Sequence, residues 1–271
     1  MWGHGLRGLD LTGIFEIAPA IGPVRLGRDA MDALQRNIHN SDMPVVCRSC
    51  EARHGGLCGV LTPAQLLELN RQSSRKRFET GNELLGQGEL VPYYANILSG
   101  VIKLSKMMSD GRQQIVGLQF APDFLGRPFN AESSMTAEAA TDVEICLFPR
   151  RVVDRMIGEV PNMERKLHGQ SLKELDEARD WMLTLGRKSA QEKVASFLHL
   201  IATHIDPEKG DVSCFDLPLS RADIADFLGL TIETVSRQMT KLKKEGIIQI
   251  ENNRHITVPD LDALNDAAGN D

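Results

Sequence analysis

One stretch, Leu219 to Gly246, constrains the fold more than any other: LSRADIADFLGLTIETVSRQMTKLKKEG. Ser220 is a strong N-cap, and Asp223 three residues on completes a capping-box-like start. Ile224, Phe227 and Leu228 give a short helix one apolar stripe. Gly229 takes positive φ and stops that helix, Leu230 fills the turn, Thr231 caps a second helix, and Gly246 stands at its C′ position. Two short helices about a glycine turn are the sequence form of a helix-turn-helix.

The second helix divides into two faces. Ile232, Val235, Met239 and Leu242 recur at helical spacing and are expected to face the core. Glu233, Ser236 and Arg237 share the opposite face in the first turns, the part of a recognition helix that reaches base edges. Arg237 has the fork for guanine, Glu233 accepts from an exposed amino group, and Ser236 is a short, tolerant partner. Lys241, Lys243 and Lys244 are opposed only by Glu245 and suit phosphate contacts. Beyond Gly246, Ile247–Ile250 and His255–Val258 alternate around Asn252-Asn253-Arg254 as a hairpin wing. A solvated amphipathic helix is the bland alternative. The agreement of caps, turn, core stripe and polar face disfavours it.

A chain of 271 residues has room for two domains with real cores, and its formal net charge of −6 is no nucleic-acid signature. DNA binding has to come from a local basic surface. No apolar run approaches the roughly 18 residues of a membrane helix. Arg7, Asp10 and Glu16 interrupt the more apolar N-terminal stretch, against a secretory signal, so the expected compartment is the cytoplasm. Five cysteines in such a chain point to metal or redox chemistry rather than disulfides.

Residues 1–45 read as a loosely ordered extension with one short helix near Asp29–Asn37. Cys47-x2-Cys50-x7-Cys58 follows. The Cys-x2-Cys pair chelates one metal centre without strain, and Gly55, Gly56 and Gly59 are expected to free the backbone to wrap a bulky ligand. The fourth ligand has to come from His54, Cys146 or Cys214. Spacing alone leaves an iron–sulfur cluster, a zinc ion and unligated thiols open. Thr62 and Pro63 open a helix over 62–74. Short alternating runs at Ala95–Leu98, Val101–Met107, Gln114–Phe120 and Val143–Phe148, cut by glycine turns, predict an antiparallel roll or sandwich. From Val152 to Leu185 the period is helical: Met156, Val160, Met163 and Leu167 lead into Leu172, Leu175, Met182 and Leu185, and the series suits either a core helix or a two-stranded seam, with the seam favoured. Ala190–Ile205 is another helix, and Asp206–Asp216 a polar connection.

This layout resembles the cAMP receptor protein superfamily: α+β, with an N-terminal antiparallel β-roll of the jelly-roll, cyclic-nucleotide-binding type, a long dimerisation helix and a C-terminal winged helix-turn-helix. ETVSR, joined to the cysteine cluster, is similar to the FNR branch, and the x7 gap resembles its FnrN-, FnrL- and FixK-like members rather than the enteric form. The resemblance runs from about Pro44 to Gly269. It divides the chain into an extension (1–45), a sensor domain (46–150), a dimerisation helix (151–186) and a DNA-binding domain (187–271). It implies a [4Fe–4S] cluster on Cys47, Cys50, Cys58 and Cys146, with Cys214 a packed thiol. It also implies a homodimer reading a TTGAT-like half-site through Glu233, Ser236 and Arg237, with RNA polymerase as a partner. The cyclic-nucleotide branch needs a Gly-Glu and an Arg-Ser pair. Here Gly126 precedes Arg127, and Glu132-Ser133-Ser134-Met135 has no arginine, so no cyclic nucleotide is expected. The resulting reading is an oxygen-responsive regulator, with a structural zinc as the alternative and no enzymatic activity.

Overall fold

The computed structural model describes residues 44–50, 52–205 and 212–270. The extension, including the helix expected near Asp29–Asn37, lies outside them apart from its last two residues. The described chain opens on short turns: α1 (Val45–Arg48), α2 (Ala52–Gly55) and a 3-10 turn at Leu57–Val60. Helix α3 (Pro63–Arg71) starts where Thr62 accepts from the Gln65 amide, the Gln65 side chain accepts from Thr62, and Pro63 fills the first position.

Eight strands follow: β1 (Ser74–Phe78), β2 (Glu83–Leu85), β3 (Tyr93–Ser99), β4 (Val101–Met107), β5 (Gln113–Phe120), β6 (Phe124–Leu125), β7 (Thr136–Ala139) and β8 (Val143–Pro149). They form two antiparallel sheets, β1–β8–β3–β6 and β2–β7–β4–β5. Ala95, Ile97, Ile102, Ala137, Val143 and Ile145 share one core between them. The alternating runs are β3, β4, β5 and β8. The other strands carried no such pattern: β1 is SRKRF, exposed along nearly its whole length, and β6 has only two residues.

The helix expected over 151–186 is two helices. α4 (Arg150–Glu159) and α5 (Pro161–Arg187) meet at Val160, which is extended with ψ 92°. Pro161 lacks an N–H and crowds the residue before it out of the helical region, so the chain turns there. α4 buries Val152, Val153, Met156 and Ile157 in a core that also holds Leu57, Leu66, Phe148 and Met163. Met156 and Met163 are therefore intrachain core, not seam. Farther along α5, Leu172 is 49 % exposed, Leu175 45 % and Met182 73 %, while Leu185 is half-buried. Trp181 packs inward instead, 4.5 Å from the Phe227 ring. Among the described residues no helix is long and apolar enough to cross a membrane.

The C-terminal part contains α6 (Ala190–Ile205), β9 (Ser213–Asp216), α7 (Arg221–Leu228), α8 (Ile232–Lys244), β10 (Gln249–Glu251), β11 (His255–Val258) and α9 (Leu261–Ala267). The expected polar connection over Asp206–Asp216 thus ends in a strand. β9 pairs with β11 and makes the wing a three-stranded sheet. Its alternation, with Ser213 and Phe215 inward, is only four residues long. The roll and this part are not separate bodies. Val101, Ile115, Phe120 and Ala140 of the roll bury against the cluster that includes Phe197 and Phe227.

The start of α7 gives a direct check on local encoding. The Ser220 side chain accepts from the Asp223 amide, and the Asp223 side chain accepts from Ser220. Ser220→Ala is expected to cost about 1 kcal/mol, read as a lowered urea midpoint with an unchanged m-value.

Candidate metal centre and nucleic-acid interface

Four cysteines from three elements and one connecting loop line a single cavity of about 280 Å³. Cys47 belongs to α1, Cys50 to the loop after it, Cys58 to the 3-10 turn and Cys146 to the middle of β8. Strand alternation places Cys146. Ile145 and Leu147 line the cavity inside the roll, whereas Cys146 and Phe148 line the cysteine cavity on the other face. Arg75 of β1 and Asn96 of β3 are the direct cross-strand neighbours of Cys146, and both line the same cavity. Arg75 donates to the Val46 carbonyl at 2.9 Å and so pins α1 over it.

Asn96 is 2 % exposed. Its Nδ2 donates to Cys58 Sγ at 3.4 Å, and its Oδ1 is buried without a partner. Its signal in the sequence was a lone amide inside the otherwise apolar run of β3. The nearby glycines act by close approach, not by positive φ. A Cβ on Gly55 would stand 2.5 Å from Pro122 Cγ, and one on Gly56 would stand 2.6 Å from the Ala52 carbonyl oxygen. A side chain at either position would clash, so these glycines let the loop fold tightly on itself and onto the roll.

Burial raises the Cys58 thiol well above its ordinary range, and the charges of Cys146, Cys47 and Cys50 add to it. Burial pushes Cys146 up to about 11 against the opposing Ser73 hydroxyl. Burial and Cys50 also raise Cys47. Cys47, Cys58 and Cys146 thus each feel the charge of neighbouring cysteines. Among the described residues no three His, Cys, Asp or Glu side chains close on a single metal-ion position; the thiols face the cavity from its walls. His54 is exposed and does not line it. Cys214, expected to be packed, is exposed on β9 with Sγ 3.6 Å from Thr257 Oγ1, because it falls on the outward face of that short strand.

In the reader, Gly229 has φ 60° and caps α7. α8 begins at Thr231, whose side chain accepts from the Thr234 amide at 3.2 Å. Val235, Met239 and Leu242 are buried as expected. Ile232 is not: it is 47 % exposed. It is the first residue of α8, and helical side chains lean toward the N-terminus, so it projects past the edge of α7. Glu233, Ser236 and Arg237 are all exposed on one side. Arg237 donates to Thr234 Oγ1 at 3.3 Å. The Glu233 carboxyl is held below its usual range by its own backbone N–H and then by Thr231.

The three lysines are not equivalent. Lys241 donates to Gln191 Oε1 at 2.6 Å and ties α8 to α6. Lys243 donates to the Ile250 carbonyl at 3.1 Å and ties α8 to the wing. Lys244 is exposed. Asn252 and Asn253 turn the wing with φ 49° and 58°. Arg221, which the sequence did not single out, donates to the Asn253 carbonyl and to the Met239 sulfur, bracing wing and recognition helix together.

Comparison with known proteins decides the family. Residues 192–267 match the Crp-like helix-turn-helix domain, and residues 75–159 match the cyclic nucleotide-binding domain. A probable transcriptional activator of Rhizobium leguminosarum bv. viciae is 63 % identical, over 86 % of this chain and 98 % of that one. The chain belongs to the Crp/Fnr family, on its FNR branch. The transcriptional activator protein FnrL of Cereibacter sphaeroides is 38 % identical over 83 % of this chain and 92 % of its own length. The solved structure of FixK2 from Bradyrhizobium japonicum is 32 % identical, covers 72 % of this chain and 96 % of its own, and superposes with a TM-score of 0.65. Members of the Crp/Fnr family are DNA-binding transcription regulators, not enzymes, and the winged reader is the DNA-binding part of this one.

On specific DNA, Arg237→Ala is expected to cost about 1–3 kcal/mol per half-site and to relax preference at one base pair. Lys244→Ala should weaken binding to all sequences alike and reduce the salt slope by about one. Fluorescence anisotropy titrations over a salt series separate the two.

Proposed function

We propose that this regulator is an oxygen-responsive activator that holds a [4Fe–4S] cluster on Cys47, Cys50, Cys58 and Cys146. It binds a palindromic TTGAT-like site as a homodimer in the cytoplasm and works through contact with RNA polymerase. The observation that carries the reading is the cavity of about 280 Å³ walled by four thiols from separated parts of the chain. A single zinc ion draws its sulfur ligands in to about 2.3 Å, whereas a cluster takes one thiolate at each of four corners. Asn96 suits such a group, since its amide already donates to a sulfur from a buried position. When bound, the cluster supplies a cationic centre that keeps buried thiols ionised and that oxygen attacks.

The protein's own residues connect this site to dimerisation. Leu57 of the cysteine segment and Met163 of α5 lie in one core, with Cys58 and Cys146 at its margin. Anything that loosens the segment from 47 to 58 therefore withdraws support from α4 and from the start of α5. The exposed Leu172, Leu175 and Met182 give α5 an apolar stripe that a second copy would cover, with the half-buried Leu185 at its end. A fully buried leucine contributes roughly 1.5–3 kcal/mol, so a few such contacts decide a marginal dimer. The cavity inside the roll is proposed to take no cyclic nucleotide. Glu89 and Glu132 stand on its wall, and the Arg127 guanidinium is engaged by Ser134 Oγ at 2.7 Å.

Serine at any of the four cavity cysteines should abolish the cluster, whereas Cys214→Ser and His54→Ala should retain it. Anaerobic absorption spectra before and after air test this; a colourless protein with one zinc would favour the structural-zinc reading instead. Asn96→Ala should still assemble the cluster but bleach faster in air. Leu175→Glu should hold its cluster anaerobically yet sediment as a monomer, because an unpaired carboxylate in the seam costs several kcal/mol. An undiminished Leu175→Glu dimer would place the dimer contact elsewhere.

A further inference from the structure

α7, the first reader helix, is gripped by the roll at both ends. At its start the Lys103 ammonium from β4 donates to Asp223 Oδ1 at 2.8 Å, and it is 2.9 Å from Glu138 Oε1 on β7. Lys103 and Glu138 are direct cross-strand partners, so the lysine is aimed from within the sheet, and its side chain is only 11 % exposed. The other Asp223 oxygen closes the capping box, accepting from the Ser220 amide at 3.1 Å. One carboxylate thus caps α7 and binds it to the sensor. At the far end, Gln114 Nε2 from β5 donates to the Phe227 carbonyl at 3.1 Å, one of the last-turn groups that the helix itself leaves unpaired. Burial would lower the Lys103 pKa, but the two carboxylates outweigh it and hold the group above its usual value.

Between these two grips the contact is apolar: Val101, Ile115 and Phe120 meet the reader core, and Trp181 of α5 meets Phe227. Apolar burial holds surfaces together without fixing their angle. Charge-assisted hydrogen bonds are directional and do fix it. α7 meets α8 through the three-residue turn at Gly229, so the angle of α7 on the roll sets where Glu233, Ser236 and Arg237 point.

We propose that Lys103, supported by Gln114 on the same hairpin, is a positioning residue for DNA reading that sets the orientation of the recognition helix relative to the sensor roll. The use of half-site spacing as a readout rests on the dimer reading above. A dimer whose readers are fixed to their rolls reads only half-sites at the matching separation; one whose readers swivel reads several separations, each more weakly.

Lys103→Gln, Lys103→Arg and Glu138→Gln would be compared with wild type, all anaerobically reconstituted. The DNA is a duplex with two inverted TTGAT half-sites, the same duplex with one base pair inserted or removed between them, and a duplex with one half-site. Lys103→Gln is expected to bind the two-half-site duplex about ten-fold more weakly, the scale of one broken coupling, with unchanged affinity for the single half-site and a smaller penalty for altered spacing. Lys103→Arg should restore the wild-type pattern, since a guanidinium can span both carboxylates. Glu138→Gln, which leaves the bond to Asp223 in place, should behave as wild type. Independently of any DNA site, amide exchange in α7 should accelerate in Lys103→Gln and not in Glu138→Gln. Unchanged α7 exchange would overturn the proposal. So would equal loss on single and paired half-sites, which marks a merely structural residue, or tighter binding by Lys103→Gln, which means the bridge holds the reader away from DNA. If wild type ignores spacing altogether, the dimer reading fails while α7 exchange still decides the role of Lys103.

Discussion

Side-chain alternation along β8 is the constraint on which the N-terminal half depends. Because successive residues face opposite sides of the sheet, Ile145 and Leu147 line the interior of the roll while Cys146 and Phe148 face the segment from α1 to the 3-10 turn. The register with β1 and β3 then sets Arg75 and Asn96 beside Cys146. A slip of one residue would turn Cys146 into the roll and bring Ile145 out under the thiols. The buried neighbours of Ile145 on the inner face forbid that slip. The thiol site is thus held in place by the apolar core behind it.

The same strand joins the thiol cavity to the helices that follow. β8 runs directly into α4, and α4 is buried together with the cysteine segment and the first turn of α5. Pro161 matters here. By breaking the helix it lets α4 pack into the core beneath the cysteine segment while α5 leaves that core with Leu172, Leu175 and Met182 uncovered by their own chain. At the far end of α5, Trp181 touches the reader. One helix therefore spans from the cysteine-bearing core to the DNA-binding core.

Electrostatics are local throughout. With a net charge of −6, the chain relies on the placement of a few cations. Lys241 and Lys243 stiffen the reader against α6 and the wing, Arg221 braces the wing tip, and Lys103 joins reader to roll. Arg237 and Lys244 remain exposed on the recognition helix, where a nucleic acid would meet them.

What the sequence determined by itself was what short-range chemistry encodes. The N-cap at Thr62, the capping box at Ser220, the left-handed Gly229, the buried stripe of Val235, Met239 and Leu242, and the long alternating strands were legible because each depends on neighbours within a few residues. The spacing of Cys47, Cys50 and Cys58 marked the segment that lines the thiol cavity. Tertiary structure alone decided the rest. Ile232 had the right spacing for the core, but its place at the edge of the helix pair leaves it exposed. β1 and β9 became strands because a partner stood beside them, not because of their own pattern. Spacing left His54, Cys146 and Cys214 open as the fourth ligand and the family resemblance implied Cys146; the sheet register is what puts Cys146 on the cavity wall. Lys103 and Asp223 lie 120 residues apart, and no local rule joins them. Their contact follows from the packing of the roll against the reader, since long-range geometry is set by which apolar surfaces bury one another and not by spacing along the chain.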